Sequence, residues 1–409
     1  MKILFVIIDG VADVGIPETQ FKTPLQLAEI PTMNQIASTG LAGLMDPVEP
    51  GLSCGSDTAH MSIFGYDPFT FYRGRGAFET MGSGIDMQVG DIAFKCNFAY
   101  MENGIVKLRR VDREFPEWGL PLIDALNTQL KTPIQIQANH ATEHRIGLKV
   151  VSNDYSGELT DEIIGTDPLK DNLPLRQAKP KVQSEKAIRT AKIINELSDS
   201  IHQMLTEHPI NIQRQQQGLP SANIVLLRGC GQRIKVQDFQ EKYGWKGAVI
   251  APTAIIQGLG KTIGLEWHHV EGATGDYNSN FINKAKKAIE LLENNYDFVF
   301  LHIKAVDDAG HDKNKDLKIK YIQKVDEMLK YFVNNIKLQD AVIAVTGDHT
   351  TPYAYGDHTF QSVPFIISKL SLLNEKKNDI QFNEISCLKG CLGRFCGKQV
   401  MQIIKQYSS

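Results

Sequence analysis

The sequence predicts an α/β fold, a mostly parallel sheet covered by helices on both faces and interrupted by a smaller α+β segment. Three observations predict it. Residues 3–8, 298–303 and 341–345 are continuous apolar runs rich in β-formers, as strands buried on both faces require. Helical patterns over 281–292 and 315–336 alternate with them, which argues for strands joined by crossover helices. Between Arg75 and about Gly218 the texture changes to strand-like alternation and turn residues. The expected division is therefore a discontinuous core, 1–75 with 219–409, and an insert over 76–218.

Taken in order, Ile3–Ile8 is the first strand and stops at Asp9-Gly10. From Thr23-Pro24 to Gly40, Leu27, Ile30, Met33 and Ile36 follow helical spacing, and Gly40 closes the helix. Leu41–Met45 is a short second strand leading toward Gly55-Ser56-Asp57-Thr58-Ala59-His60. In the insert, 94–100 and 105–108 flank Asn103-Gly104, the signature of a hairpin. Ser184–His208 is a long amphipathic helix whose apolar stripe is read as core, and 213–218 reads as a polar linker. Ile224–Leu227 and Val363–Ile367 are further strands assigned to the core sheet.

The 409 residues are 42% hydrophobic, enough for a sizeable core in two or three domains. Basic and acidic residues nearly balance, 44 against 47, so neither nucleic acid nor a membrane surface is the expected partner. A small anionic substrate remains compatible, because local Arg clusters hide inside a balanced total. No apolar run reaches the roughly 18 residues of a membrane span. Six scattered cysteines exclude a disulfide scaffold, and Cys387, Cys391 and Cys396 lack the spacing of a zinc site. A cytoplasmic protein with reduced thiols, monomeric or a small homo-oligomer, is expected.

The chemistry is expected at the ends of three strands. Residues 3–8 run into Asp9, 298–303 run through Lys304 into Asp307, and 341–345 run into Asp348-His349. Ligands bind beyond the carboxyl edge of a parallel sheet, so these acids should converge. Asp307 and His311 form a DxxxH pair, and Asp357-His358 repeats the doublet at 348–349. Carboxylates with neutral imidazoles suit Mn²⁺, Zn²⁺ or Co²⁺, whereas carboxylates alone suit Mg²⁺. Enough ligands are present for two divalent ions, which together clamp a phosphoryl group and activate a hydroxyl. Ser56 supplies a candidate hydroxyl, although Ser-Asp-Thr before an apolar segment is ordinarily just a helix cap. Lone aspartates and surface Asp-His pairs are likewise ordinary, and only the convergence of all of them argues for a site. Gly258–Thr262 ends in Gly-Lys-Thr but has Ile255 where a phosphate loop needs glycine. Arg110, Arg113 and Arg145 in the insert and Arg228 from the core side are candidate binders of phosphate or carboxylate. His140, His268 and His269 have no assigned partner.

These residues carry a family resemblance that runs almost end to end. Gly55 to His60, Gly65-Tyr66-Asp67-Pro68, Gly74-Arg75-Gly76, Cys96-Asn97-Phe98 and Thr166-Asp167-Pro168 belong to it. So do Leu227-Arg228-Gly229, Gly272-Ala273-Thr274-Gly275, Lys304 to His311, Thr346 to His349 and Gly356-Asp357-His358. The chain resembles the archaeal-type 2,3-bisphosphoglycerate-independent phosphoglycerate mutases of the alkaline phosphatase superfamily. That resemblance implies an alkaline-phosphatase-like three-layer α/β/α core with an inserted substrate-binding domain. It also implies interconversion of 3-phosphoglycerate and 2-phosphoglycerate, a step of glycolysis and gluconeogenesis, through a phosphoserine on Ser56. One ion would be held by Asp307, His311 and His358, the other by Asp9, Ser56, Asp348 and His349. Two divalent ions are expected, Mn²⁺ first and otherwise Mg²⁺, Co²⁺ or Zn²⁺, with no 2,3-bisphosphoglycerate. Closure of the insert would exclude water from the phosphoserine. Three positions depart from the family pattern, Lys95 for Arg, Leu169 for His and Gln257 for a basic residue, all on the substrate side. The alternative is another two-metal phosphomutase or phosphatase of the superfamily.

Overall fold

A computed structural model describes residues 1–112, 115–132, 134–151 and 159–409. The chain divides into two units, Met1–Tyr72 with Val236–Ser409, and Arg73–Lys235. No helix among the described residues is long and apolar enough to cross a membrane.

The first unit is built on an eight-stranded sheet. Its order is Glu266–Trp267, Gly247–Ile250, Phe298–Ile303, Ile3–Ile8, Val342–Gly347, Val363–Lys369, Leu41–Asp46 and Gly393–Cys396. The pairings are parallel except for the two that Val363–Lys369 makes with its neighbours. This is the mostly parallel sheet the apolar runs predict. Successive residues of Ile3–Ile8 face opposite layers. Leu4, Val6 and Ile8 pack with Met33 and Ile36, with Leu291 and Leu292, and with Tyr321, Val325 and Leu329 from the helices Pro31–Thr39, Phe281–Asn294 and Lys315–Asn335. Phe5 faces the other way into an aromatic cluster with Phe64, Phe298 and Phe300, which Phe239 joins through Phe64 and Phe298. Each such fully buried side chain stabilises by roughly 1.5–3 kcal/mol relative to exposure, so both faces hold the sheet.

Several details differ from the sequence reading, and the strands Gly247–Ile250 and Glu266–Trp267 were not predicted. The predicted helix over 24–40 is two, Pro24–Leu27 and Pro31–Thr39. Pro31 has no amide hydrogen to continue a helix and fixes a new first turn instead. The edge strand Gly393–Cys396 was not predicted, since four residues without apolar alternation carry no strand signal.

Lys284 is fully buried, and its ammonium reaches one acceptor, the His302 carbonyl, at 3.0 Å. Burial pushes its pKa down to about 7. The folded value lies below the unfolded value of about 10.4, so the cost of burying the charge is complete below pH 7 and fades toward pH 10. Lys284→Met should therefore be more stable than the parent at pH 7. The gap should narrow as urea denaturation is repeated up to pH 10. A variant less stable at pH 7 would show that the bond to His302 outweighs the buried charge.

The second unit carries a six-stranded antiparallel sheet formed by Gln135–Thr142, Arg145–Val151, Ile92–Glu102, Ile105–Leu108 and Leu173–Pro174, with Ile224–Gln232 paired to Ile92–Glu102. Asn103 and Gly104 turn the predicted hairpin, both with positive φ, as a two-residue turn of this kind requires. The helices Pro116–Thr128 and Glu185–Glu207 bring Leu122, Leu126, Ile194, Leu197 and Ile201 onto Phe94, Phe98 and Leu148.

Two sequence expectations are corrected here. Strand Ile224–Gln232 belongs to this sheet and not to the parallel one, so the second crossing falls at 235/236 rather than 218/219. An apolar run specifies burial, not which sheet provides it. The polar run 213–218 is not a linker, because Pro209–Gln216 is a helix that buries Arg214 completely. Its guanidinium bonds Asp112 at 2.9 Å and the Pro220 carbonyl at 2.9 Å, and lies over Phe115 and Trp118. A guanidinium bonded to a carboxylate and stacked on aromatic rings is the form in which arginine tolerates burial.

Candidate active site

Register brings the predicted acids together. Ile8 lies opposite both Ile303 and Gly347, so the residues that follow all three strands emerge at one edge. The Asp9 amide bonds the Ile303 carbonyl at 2.8 Å, and the Gly10 amide bonds Asp348 Oδ1 at 3.0 Å. Gly10 has φ +61°, and a Cβ there would collide with Asp307 and Thr351, so only glycine serves at this turn.

Ser56 is the first residue of the helix Ser56–Ile63, and Gly55 is its N-cap. The serine hydroxyl is therefore not the ordinary cap that its sequence suggests. Half-buried, it lies 3.2 Å from His349 Nε2. His349 Nε2 is also 3.2 Å from Asp9 Oδ1 and 3.4 Å from Asp348 Oδ2. Beside this group, His311 Nε2 stands 3.2 Å from His358 Nε2 and 3.3 Å from Asp307 Oδ2. His358 Nε2 is 3.6 Å from Asp307 Oδ1, and its ring stacks on His349 with centroids 3.7 Å apart. The seven residues expected to hold ions thus lie together. Asp9, Asp348 and His349 form one compact group and Asp307, His349 and His358 another, with His349 in reach of both.

The imidazoles share one orientation. His311 Nδ1 bonds the Gly356 carbonyl, His358 Nδ1 the Cys54 carbonyl, and His349 Nδ1 the Thr351 hydroxyl, each at 3.0 Å. A carbonyl only accepts, so Nδ1 of His311 and His358 carries a hydrogen and Nε2 points inward, where its lone pair is available once the ring is neutral. Two such Nε2 atoms 3.2 Å apart repel unless a proton or a metal ion lies with them. Asp9 Oδ1 and Asp348 Oδ2 are buried and accept no well-directed hydrogen bond. Buried unpartnered carboxylate oxygens facing ring nitrogens form a donor set that fits a divalent ion.

Charge is held here in unusual states. Burial alone would raise Asp9, yet Lys304 and the imidazoles of His302 and His349 keep it well below the usual carboxylate range. Asp307 is also held low, with His311 and Lys304 outweighing burial and the Asp9 charge. Asp348 goes the other way, to about 6, because it is buried beside Asp9. His349 resists burial and rises to about 9 through Asp348 and Asp9, and His311 rises to about 9 through its bond to Asp307.

Several participants were not assigned roles from the sequence. The Lys304 ammonium bonds Asp307 and lies 3.6 Å from Asp9 and 3.2 Å from Asp308. His302 Nε2 is 3.3 Å from Asp9 Oδ2, and His60, with Nδ1 on the Ser56 carbonyl at 2.7 Å, lies 3.5 Å from Asp348. His302 lies in an apolar strand on the face of Phe298 and Phe300, which is the only sequence signal of its direction.

The arginines lie in the other unit. Arg109, not singled out individually from the sequence, forms a two-pronged pair with Asp167 at 2.7 and 2.8 Å, and Arg228 is 3.5 Å from the same carboxylate. Arg110 is exposed, Arg145 is 3.7 Å from Glu143, and Arg113 lies outside the described residues. Burial depresses Arg228 against the pull of Asp167, and Arg109, Arg110 and Arg75 depress it further, a sign of one positive field. Of the three departures, Lys95 bonds Glu79 at 2.7 Å, Leu169 is exposed with φ +70°, and Gln257 bonds the Ala251 carbonyl.

Residues 37–211 match the family model described as 2,3-bisphosphoglycerate-independent phosphoglycerate mutase, and residues 174–369 match that of type I phosphodiesterase / nucleotide pyrophosphatase. A protein of Methanopyrus kandleri named 2,3-bisphosphoglycerate-independent phosphoglycerate mutase is 38% identical over 99% of this chain and 96% of its own. One of Methanocaldococcus jannaschii, named 2,3-bisphosphoglycerate-independent phosphoglycerate mutase 1, is 40% identical over 98% and 96%. A solved structure from Pyrococcus horikoshii superposes with TM-score 0.83 at 34% identity, covering 100% of this chain and 97% of the other. The cofactor-independent phosphoglycerate mutase of Thermoplasma acidophilum gives 0.73 at 31%, covering both chains completely.

Proposed function

The chain belongs to the 2,3-bisphosphoglycerate-independent phosphoglycerate mutases, and on that premise we propose that it interconverts 3-phosphoglycerate and 2-phosphoglycerate through a phosphoserine on Ser56. The observation that carries this reading is the Ser56 hydroxyl, left free of capping and aimed at His349 Nε2 among Asp9 and Asp348. Asp9, Ser56, Asp348 and His349 would hold one divalent ion, and Asp307, His311 and His358 the other. When bound, such ions lower the pKa of a hydroxyl and offset charge on a phosphoryl group.

The protein's own groups supply the rest. Ser56 Oγ attacks phosphorus as the bond from phosphorus to the glycerate oxygen breaks. Ser56 loses its hydroxyl proton and the released glycerate oxygen gains one. The second half-reaction reverses this at the neighbouring hydroxyl, so the cycle needs no 2,3-bisphosphoglycerate and takes up no proton overall. Lys304 Nζ presents a fixed positive charge among Asp9, Asp307 and Asp308, suited to the oxygens of a transferring phosphoryl group. Arg109, Arg110, Arg145 and Arg228 match the carboxylate and phosphate of the substrate in charge and fork geometry.

The test is a mutase assay on chelator-stripped protein given 3-phosphoglycerate without bisphosphoglycerate. Mn²⁺, Co²⁺, Mg²⁺ or Zn²⁺ is added in turn, and 2-phosphoglycerate and free phosphate are both followed. The expected result is no turnover without metal and 2-phosphoglycerate on adding it, with Mn²⁺ the first candidate. Phosphate release without isomerisation would instead make this a phosphatase.

A further inference from the structure

Thr351 is fully buried and touches a ligand of each proposed ion. Its hydroxyl has one hydrogen to give. That hydrogen goes to Asp307 Oδ1 at 2.6 Å, because a carboxylate oxygen only accepts. The 3.0 Å contact with His349 Nδ1 then runs the other way, with Nδ1–H donating to the threonine oxygen. This places a hydrogen of His349 on Nδ1 and turns Nε2 toward Ser56, Asp9 and Asp348. One hydroxyl thus fixes the ring orientation of an imidazole in one group and the rotation of a carboxylate in the other.

The backbone of Thr351 is anchored on both sides. Its amide bonds the Ala12 carbonyl at 3.2 Å, and its carbonyl accepts from Lys318 Nζ at 2.8 Å. Lys318 is itself fully buried and bonds the Ala12 carbonyl at 3.0 Å and Asp13 Oδ2 at 2.8 Å. The loop after Ile3–Ile8 is therefore tied to the loop after Val342–Gly347 directly beneath the site. A Cβ on Gly10 or Gly310 would strike Thr351, so these two glycines pack closely against the residue.

We propose that Thr351 is a positioning residue that holds Asp307 and His349 in their ion-binding geometry and so makes the two ion sites depend on one hydroxyl. This rests on the two-ion reading above. Groups that orient metal ligands in this way are typically worth about 10- to 100-fold in metal affinity.

The test uses the full chain stripped of metal, titrated with Mn²⁺ in a calorimeter and with Co²⁺ followed by its visible absorption. Thr351→Val keeps the shape and removes the hydroxyl, Thr351→Ser keeps the hydroxyl, and Thr350→Val removes a neighbouring buried hydroxyl that bonds the Gln361 carbonyl. The expected result is Mn²⁺ binding weakened about 10- to 100-fold at both sites in Thr351→Val, with an altered Co²⁺ spectrum. Thr351→Ser should restore both, and Thr350→Val should change neither. Two-ion binding that is equal in the parent and Thr351→Val overturns the role of Thr351 alone. Equal losses in Thr350→Val and Thr351→Val reduce the effect to general packing and also overturn it. A parent that binds no Mn²⁺ overturns the two-ion reading and this proposal together. Thermal unfolding of each metal-free variant identifies a variant that has not folded, and Thr351→Ser then carries the comparison through its spectrum.

Discussion

Ser56→Ala should lower mutase turnover by about 10⁴-fold or more, the scale seen when an enzyme loses its nucleophile. The fold should not notice. Ser56, the first residue of its helix, does not cap it, and among the described residues its hydroxyl reaches only His349, so alanine removes no structural hydrogen bond. Thermal unfolding of the metal-free variant should match the parent within the roughly 0.5 kcal/mol typical of neutral substitutions. Parent and variant supplied with Mn²⁺ and denatured in acid during turnover separate two outcomes. The parent should carry a phosphoryl group on the peptide that contains Ser56, detected by mass, and the variant should not. A variant that keeps substantial turnover would remove Ser56 from the reaction and leave the imidazole and carboxylate groups in search of another acceptor.

The sequence showed the three central parallel strands and their terminal acids because both signals are local. Ile3–Ile8 and Phe298–Ile303 are unbroken apolar runs, and an acid at the end of such a run leaves few alternatives to the sheet edge. Signals that depend on partners were not legible. The run Ile224–Leu227 is as apolar as any core strand, and only the pairing of its strand with Ile92–Glu102 assigns it to the other sheet. Arg214 sits in a run of glutamines that looks solvated, and its burial follows from Asp112 and Phe115, about a hundred residues away in sequence. Within the site, the acids and histidines were legible by type and spacing. What holds them was not. Thr351, His302 and Lys304 matter through the direction in which a side chain points, and spacing does not fix direction. Arg110 shows the converse, since composition marked it while Arg109 beside it makes the two-pronged bond to Asp167.

Lys304→Met should cost the metal-free protein about 3–5 kcal/mol at pH 7, the scale of breaking a buried ion pair from one side. Asp9, Asp307 and Asp308 all face this ammonium, whose own pKa their charges raise against burial. The sign follows from both partners. Lys304 has a raised folded pKa, so its contribution is complete below its unfolded value of about 10.4. Asp9 and Asp307 have depressed folded values, so theirs is present above about pH 4 and lost as the pH falls further. The penalty of the variant should accordingly be large at neutral pH and shrink in acid, where the carboxylates protonate. Divalent ions should offset it, because a cation that binds only the folded state stabilises it in proportion to ln(1 + [ion]/Kd). With saturating Mn²⁺ the variant should unfold close to the parent yet turn over about 10²- to 10³-fold more slowly, the scale of losing one electrostatic contact to the transferring group. Lys304→Arg, which keeps the charge, should restore stability more fully than turnover, since the longer fork does not place its charge where the ammonium stood. Denaturation across pH with and without Mn²⁺, alongside steady-state rates, separates the two roles. If Mn²⁺ fails to rescue stability, the carboxylates around Lys304 form a structural ion cluster and not a place for metal.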